Sequence, residues 1–223
     1  MKLYYAPGAC SLSPHIVARE AGIDIELIKA DTKTKKMADG GDYWLVNPKG
    51  YVPALQLDNG QLLTEGPVIV QYLADQKPGA GLIPAAGTLE RYRVQEWLNY
   101  ITSEIHKSFS PLFNPASSTE IKDTAKAYLT KRFELVGKHL EGKQYLMGDT
   151  FTVADAYLFT VSNWGQFVGF DIGQWPALKA HHARVAARPK VQEALKAEGL
   201  VKYDRLSATA RGAVGAPFSS TRR

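Results

Sequence analysis

The spacing of apolar residues in this 223-residue chain changes from a mixture of strand-like and helix-like periods to a helical period alone, and the change occurs at a linker rich in proline and glycine. The linker, residues 76–87, reads QKPGAGLIPAAG and has no apolar periodicity. Segments typical of strands alternate with helical segments before it, whereas every periodic segment after it is helical. The pattern therefore predicts a mixed α+β unit followed by an all-helical unit.

The first unit has the predicted order βαβ, a poorly defined helical stretch, a ββ hairpin and a helix. Gly22 is expected to end the first helix, and Asn59-Gly60 is a turn sequence typical of a hairpin. Pro67 suits the first turn of the closing helix. The predicted elements are a strand at 2–5, a helix at 11–21, a strand at 25–28, a polar stretch at 29–50, a hairpin at 52–63 and a helix that opens at 64–67.

The second unit is predicted to consist of helices alone. In residues 89–109 the apolar side chains form one stripe, and at about 100° per residue Asn99, Ser103 and His106 lie on the opposite, polar side. Thr152 and Asp155 have the form of a capping box with Asp in place of Glu, so we interpret them as structural rather than catalytic. Helices are predicted at 89–109, at 119–141, from 152 onward, at 176–187 and at 190–198.

Composition and charge exclude several classes of protein. Residues 204–223 contain four Arg and one Asp, a net of +3, so the rest of the chain carries only +2 of the total of +5, too little for nucleic-acid binding. The single cysteine, Cys10, excludes an internal disulfide framework, and no Cys/His cluster has zinc-site spacing. No apolar stretch approaches ~18 residues and the N-terminus lacks a signal-peptide pattern, so we expect a cytoplasmic protein that does not bind a membrane.

Four long segments, taken in order, resemble one family. A βαβ–ββα unit with one cysteine between its first strand and first helix looks thioredoxin-like, and a helical unit joined to it is the arrangement of cytosolic glutathione transferases. The segments are YYAPGACSLSPHIVARE, NPKGYVPALQLDNGQLLTEGPVIVQYLAD, EWLNYITSEIHKSF and FTVADAYLF. Over about residues 1–202 the chain is similar to the beta class of bacterial glutathione S-transferases.

The resemblance implies the fold and its boundaries. The expected fold class is α+β/α, with an N-terminal thioredoxin-like βαβ-α-ββα domain followed by an all-helical C-terminal domain. The implied domains are a glutathione-binding domain at 1–80 and a helical domain with the electrophile site at 87–202. Residues 203–223 lie outside the resemblance and are interpreted as an appendage, such as an expression remnant.

Cys10 follows a Pro-Gly break and immediately precedes a helix, at the end where amide groups are unpaired. Judged by residue type alone, Cys10 could equally be a buried cysteine without a chemical role. Lowering a thiol pKa by two units requires about 2.7 kcal/mol, whereas a helix terminus typically supplies about 0.3–1 kcal/mol, so further donors are needed. The resemblance implies that Cys10 faces the sulfur of glutathione, either as a stabiliser of the thiolate or as a partner in a mixed disulfide.

His106 matches the catalytic histidine of the family, although a lone histidine on a helix is usually a surface or core residue. The other histidines have no such match, and we interpret them as surface or structural: His15, His139, His181 and His182.

The resemblance also implies the remaining glutathione contacts. A cis Val52–Pro53 peptide would present the Val52 backbone to the cysteinyl part, with a trans proline at a strand start as the alternative. Glu65 and Gly66 would bind the γ-glutamyl end at a helix N-terminus, where many transferases have Ser instead of Gly66. Lys35 would bind the glycyl carboxylate. The residues of the charged stretch alone do not distinguish it from the neighbouring lysines, so this assignment is implied by the resemblance. The pocket is completed, partly across a dimer interface, by Asn99, Ser103, Glu104 and His106.

The sequence thus predicts an enzyme, a glutathione S-transferase that conjugates the glutathione thiolate to small hydrophobic electrophiles in detoxification, with thiol-transferase or peroxidase side activity. Phe109, Phe113 and Trp164 are expected to supply apolar walls for the electrophile. The alternatives are glutathione-dependent dehalogenation in aromatic degradation and a non-catalytic protein that binds hydrophobic ligands. We expect a homodimer that uses glutathione as a co-substrate and requires no cofactor and no metal.

Overall fold

The computed structural model describes residues 1–200; the predicted appendage at 203–223 and the predicted domain end at 202 lie outside the described residues. A four-stranded sheet with the order β2-β1-β3-β4 organises the first part of the chain. Strand β1 pairs parallel with β2 and antiparallel with β3, and β4 pairs antiparallel with β3. The strands are β1 (Lys2–Tyr5), β2 (Glu26–Lys29), β3 (Ala54–Gln56) and β4 (Leu62–Thr64).

Two helices accompany the sheet and pack against each other: α1 (Leu12–Ala21) and α2 (Gly66–Asp75). Helix α1 joins the parallel strands β1 and β2 and ends at Gly22, whose left-handed φ of 65° favours glycine. The predicted hairpin is present as β3 and β4. The helical stretch predicted between β2 and β3 is reduced to one 3₁₀ turn at Tyr43–Leu45.

The second part of the chain is helical, as predicted. Helix α6 is buried along its whole length, and Asp155 in its first turn accepts hydrogen bonds from the Thr152 amide at 2.8 Å and from His181 at 2.9 Å. This confirms that Thr152 and Asp155 are capping residues. The helices are α3 (Leu89–Tyr100), α4 (Ser110–Phe113), α5 (Thr119–His139), α6 (Val153–Ser162), α7 (Gly165–Val168), α8 (Pro176–Ala186) and α9 (Pro189–Ala197).

The single α-helix predicted over 89–109 is wrong beyond Tyr100. Residues Ile101–His106 form a π-helix and Lys107–Phe109 a 3₁₀ turn before α4 begins. A π-helical turn is wider than an α-helical turn, so a projection at about 100° per residue does not place side chains correctly here. His106 is partly buried, and its ring contacts those of Tyr157 and Trp164.

The two parts of the chain share one hydrophobic core, and polar contacts also join them. Helix α1 packs against both α6 and α9. Arg188 forms a two-point ion pair with Glu20 at 2.7 and 2.8 Å, and the buried side chains of His15 and Glu198 approach to 2.8 Å. The overall fold class is confirmed, while the domain boundaries at 80 and 87 remain a prediction. Among residues 1–200, none of the helices is both long and apolar enough to cross a membrane.

Candidate active site

The loop that carries Cys10, between β1 and α1, is held by residues from the helical part of the chain. The Gly8 amide donates to Glu198 Oε2 at 2.9 Å, and Trp164 Nε1 donates to the Gly8 carbonyl oxygen at 2.9 Å. Both polar groups of Gly8 are therefore fixed, and its φ of 71° suits a glycine. The position of Cys10 depends on packing between the two parts of the chain.

The Cys10 thiol donates a hydrogen bond to the Val52 carbonyl oxygen, with Sγ and oxygen 3.1 Å apart. The Val52–Pro53 peptide bond is cis, as the resemblance implies. Although Cys10 is partly exposed, burial raises the pKa of its thiol to about 12 and outweighs the hydrogen bonds from the Cys10 and Ser11 amides, which lower it. At neutral pH the sulfur is thus a protonated hydrogen-bond donor.

His106 contacts Trp164, the same side chain that donates to Gly8 in the cysteine loop. Its Nδ1 lies 2.6 Å from the Tyr157 hydroxyl oxygen, and its ring meets the Trp164 ring edge-on at 4.8 Å between centroids. Burial lowers the pKa of His106 to about 4, so its imidazole is neutral at pH 7. Burial raises the pKa of Tyr157, and the nearby Cys10 and Glu65 side chains add to this effect.

Glu65 and Gly66 lie at the start of α2. Glu65 has a positive φ of 71°, which is uncommon for a residue other than glycine, and its carboxylate accepts from Lys49 Nζ at 2.5 Å. Gly66 is in the first turn of α2, where amide groups have no partner within the helix. A Cβ on Gly66 would lie 3.7 Å from Pro53 Cγ, an ordinary contact distance, so the structure leaves room for a side chain.

Lys35 is fixed next to the segment that precedes Val52. Its Nζ donates to the Gly50 carbonyl oxygen at 2.7 Å and lies 5.4 and 5.6 Å from the ring centroids of Trp44 and Tyr51. Both aromatic side chains are exposed. These contacts distinguish Lys35 from the other lysines of the charged stretch, which the sequence did not do.

The structure does not bring Asn99, Ser103 and Glu104 into hydrogen-bond contact with the cysteine loop within residues 1–200. Ser103 donates to the Asn99 carbonyl oxygen at 3.1 Å and is exposed. The Glu104 carboxylate accepts from Tyr128 and from Arg132 at 2.7 Å, and these hydrogen bonds lower the pKa of Glu104. Ser103 also lines a cleft of about 670 Å³ against α5.

The sequence matches a known family in both parts of the chain. Residues 8–76 match the glutathione S-transferase N-terminal domain, and residues 100–189 match the glutathione S-transferase C-terminal domain. Glutathione S-transferase GstA of Escherichia coli O157:H7 is 48% identical over 200 residues, which cover 90% of this chain and 100% of the relative. This chain belongs to the glutathione S-transferase family.

Two solved structures relate this transferase to a class within the family. A bacterial beta-class glutathione S-transferase from Sphingomonas chungbukensis is 49% identical, with a TM-score of 0.87 over 90% of this chain and 100% of that one. A sphingomonad glutathione S-transferase complexed with glutathione is 48% identical, with a TM-score of 0.87 and the same coverage. The resemblance to the beta class and the prediction of a transferase enzyme are confirmed.

The three aromatic residues expected to line the electrophile site of this transferase differ in exposure. Phe113 is 49% exposed, Trp164 is 7% exposed and Phe109 is fully buried. Phe109 packs perpendicular to Trp164 at 5.6 Å between ring centroids. Because Phe109 is fully buried, it cannot form an exposed wall of the electrophile site. It packs against Trp164 instead.

The sequence did not identify three residues that shape the site of this transferase: Tyr157, Lys49 and Glu198. Tyr157 lies within a run of apolar residues in α6, so only its packing against His106 reveals its role. Glu198 lies 190 residues from Gly8 and 183 from His15, too far apart in sequence for any local pattern to connect them. Lys49 belongs to a polar loop, and no sequence pattern distinguishes it from the other lysines there as the partner of Glu65.

Proposed function

We propose that this transferase binds glutathione along its sheet-containing part and holds the glutathione sulfur as a thiolate near Cys10 and His106. The thiol proton passes to solvent, the thiolate attacks a small hydrophobic electrophile, a carbon–sulfur bond forms and the leaving group departs with its bonding electrons. Two neutral groups in one site, the Cys10 thiol and the His106 imidazole, carry the proposal, because neutral donors stabilise an anion without a competing negative charge.

The environment of Cys10 favours a stabilising role over a nucleophilic one. With a pKa of about 12, Cys10 is ionised at pH 7 in roughly one molecule in 10⁵. A mixed disulfide requires a thiolate as the attacking group, so thiol-transferase and peroxidase activities are expected to be slow side reactions. Hydrogen-bond donation to the glutathione sulfur requires the protonated form that predominates, and the single thiol proton turns from the Val52 carbonyl oxygen to the bound thiolate.

The remaining parts of glutathione have suitable partners in this proposal. The Val52 backbone binds the cysteinyl part beside the cis Pro53 peptide. Lys35 offers an ammonium group for the glycyl carboxylate, while Glu65 and the Gly66 amide receive the ammonium and carboxylate of the γ-glutamyl end. Asn99, Ser103 and Glu104 complete the pocket, partly from across a dimer interface. Glutathione serves as co-substrate, and no cofactor takes part.

A homodimer is the proposed assembly. Helices α2 and α3 are linked by a Gln95–Gln71 hydrogen bond at 2.9 Å and by an Arg91–Asp75 ion pair at 2.8 Å. They expose Val68, Leu89 and Tyr92. Such apolar side chains on adjacent helices suit contact with a second copy. Light scattering is expected to give a mass near twice that of the monomer, and a fully active monomer would contradict a site shared between subunits.

The proposed activity is tested by retention on immobilised glutathione followed by conjugation of glutathione to a simple aromatic halide. The wild-type protein is expected to be retained and active, consistent with detoxification in the reducing cytoplasm, where glutathione is a free thiol. Cys10→Ala separates the two roles of the cysteine: conjugation that is reduced but present, with disulfide reduction lost, supports donation to the thiolate. Failure of binding and conjugation together would favour a non-catalytic protein that binds hydrophobic ligands.

A further inference from the structure

Tyr157 places a buried hydroxyl group against the proposed catalytic histidine. The side chain belongs to α6 and is 1% exposed, and its hydroxyl oxygen lies 2.6 Å from His106 Nδ1. This separation marks a short hydrogen bond, below the range of about 2.7–3.2 Å that is usual for an N–H donor to oxygen. Burial raises the pKa of Tyr157, so its hydroxyl remains protonated throughout the physiological pH range.

The neighbouring Thr102 determines where the tyrosine proton can go. Thr102 Oγ1 carries one proton, which it donates to the Leu98 carbonyl oxygen at 2.8 Å. The same Oγ1 lies 3.4 Å from the Tyr157 hydroxyl oxygen and can offer it only a distant acceptor. His106 Nδ1, at 2.6 Å, is the better acceptor, and a buried hydroxyl without a good acceptor would be unfavourable.

A neutral imidazole carries one proton, so an Nδ1 that accepts from Tyr157 leaves the proton on Nε2. Within residues 1–200, His106 Nε2 has no hydrogen-bond partner. The Trp164 ring, edge-on at 73° to the imidazole, restricts rotation of the His106 side chain. The Nε2–H group is therefore available to an anion in the site.

We propose that Tyr157 is a positioning residue that keeps His106 in the Nε2–H tautomer, so that the imidazole donates to the glutathione sulfur. The proposal rests on the role of His106 in the proposed function. With the opposite tautomer, Nε2 would present a lone pair to the thiolate and repel it. The charged and titratable groups that act on this pair are Lys107, Glu65 and Cys10.

Tyr157→Phe removes the hydroxyl group and keeps the ring, and Tyr100→Phe is its matched control. The Tyr100 hydroxyl donates to the Arg132 carbonyl oxygen at 3.1 Å and does not contact His106. Nitrogen-15 NMR of the imidazoles, with the His106 signals assigned by their loss in His106→Gln, reports the tautomer. Wild-type protein and Tyr100→Phe are expected to show Nε2–H alone, and Tyr157→Phe a mixture of both tautomers.

In kinetics, Tyr157→Phe is expected to raise the apparent pKa of bound glutathione and to lower kcat by about 10-fold near neutral pH, an effect as large as the loss of a partner that orients a metal-binding histidine. The KM for glutathione should stay unchanged, and so should both constants in Tyr100→Phe. A wild-type Nδ1–H tautomer, or a Tyr157→Phe variant with wild-type tautomer and kcat, would overturn the proposal. A wild-type protein that conjugates nothing would instead refute the proposed function, and the NMR result would still decide the tautomer.

Discussion

Cys10 Sγ and the Val52 carbonyl oxygen, 3.1 Å apart, join the start of α1 to the cis peptide that precedes β3. The hydrogen bond requires a proton on sulfur, in agreement with the raised pKa of Cys10. Cys10 is the only cysteine in the chain, so its chemistry can be followed without interference. A thiol that is protonated at neutral pH should react slowly with alkylating agents, which react with the thiolate.

Alkylation of Cys10 by iodoacetamide is expected to be slow at neutral pH. Because its pKa is about 12, the rate should continue to rise with pH to at least pH 10, whereas an ordinary cysteine approaches a plateau near its pKa of about 8.5. Mass spectrometry of the intact protein measures the modified fraction, and urea-unfolded protein is the control. A plateau in the native protein below pH 9 would show that the thiol is not desolvated.

Acid is expected to destabilise the protein through its buried neutral histidines. Burial lowers the pKa of His106 and of His182 to about 4, below the unfolded value of about 6.5. The unfolded state then binds more protons, so their contribution is complete above pH 6.5 and is lost as the pH falls toward 4.

The His182 side chain allows this pH dependence to be tested away from the active site. Its ring packs on Phe159 at 4.6 Å, so His182→Phe keeps an aromatic ring and removes the titrating group. The urea midpoint of this variant should fall less between pH 7 and pH 4.5 than that of the wild type. Equal losses in both proteins would mean that His182 does not titrate with unfolding.

The ion pair between Arg188 and Glu20 is expected to stabilise the contact between the two parts of the chain. Glu20 is only 8% exposed, so Arg188→Gln leaves a nearly buried carboxylate without its partner. We expect a loss of about 2–3 kcal/mol in the free energy of unfolding, somewhat less than for a fully buried pair. Lys190→Gln is the control because the Lys190–Glu193 pair is about half exposed and should change stability by less than about 0.5 kcal/mol. Similar effects of both substitutions would contradict this ranking.

A hydroxyl group at position 66 is expected to improve glutathione binding. The site has room for a Cβ, and a serine hydroxyl at the start of α2 can donate to the γ-glutamyl carboxylate. Gly66→Ser should lower the KM for glutathione by about 3-fold, which corresponds to about 0.6 kcal/mol for one hydrogen bond, with kcat unchanged. Gly66→Ala, which adds only the Cβ, should leave the KM unchanged, and an identical effect of both variants would exclude the hydroxyl as the cause.

Local sequence signals predicted the elements that depend on neighbouring residues. The Asn59-Gly60 turn and the Thr152–Asp155 cap were predicted correctly because each is determined within a few positions. The family resemblance pointed to Cys10 and His106, and the structure links them through Trp164, which donates to the Gly8 carbonyl oxygen in the cysteine loop and packs against the His106 ring. The switch from α- to π-helix after Tyr100 has no glycine or proline to mark it, so an α-helical projection could not reveal it.

Features that arise from packing could not be predicted in the same way. The sequence indicated that a helix terminus lowers the pKa of the Cys10 thiol only slightly, and it could not reveal that burial raises this pKa by a larger amount. His106 contacts the Tyr157 hydroxyl group, 51 residues away, and the loop around Gly8 is held by Trp164, 156 residues away. Such contacts follow from the assembled core and leave no local pattern.

A spectroscopic pH titration of the wild-type protein with bound glutathione reports whether the site stabilises a thiolate. Thiolate absorbance in the ultraviolet is followed against pH, and Cys10 does not contribute near neutrality because its pKa is about 12. Bound glutathione is expected to ionise about two pKa units below the free thiol, near pH 6.5. An ionisation at the same pH as free glutathione would show that Cys10 and His106 do not activate it.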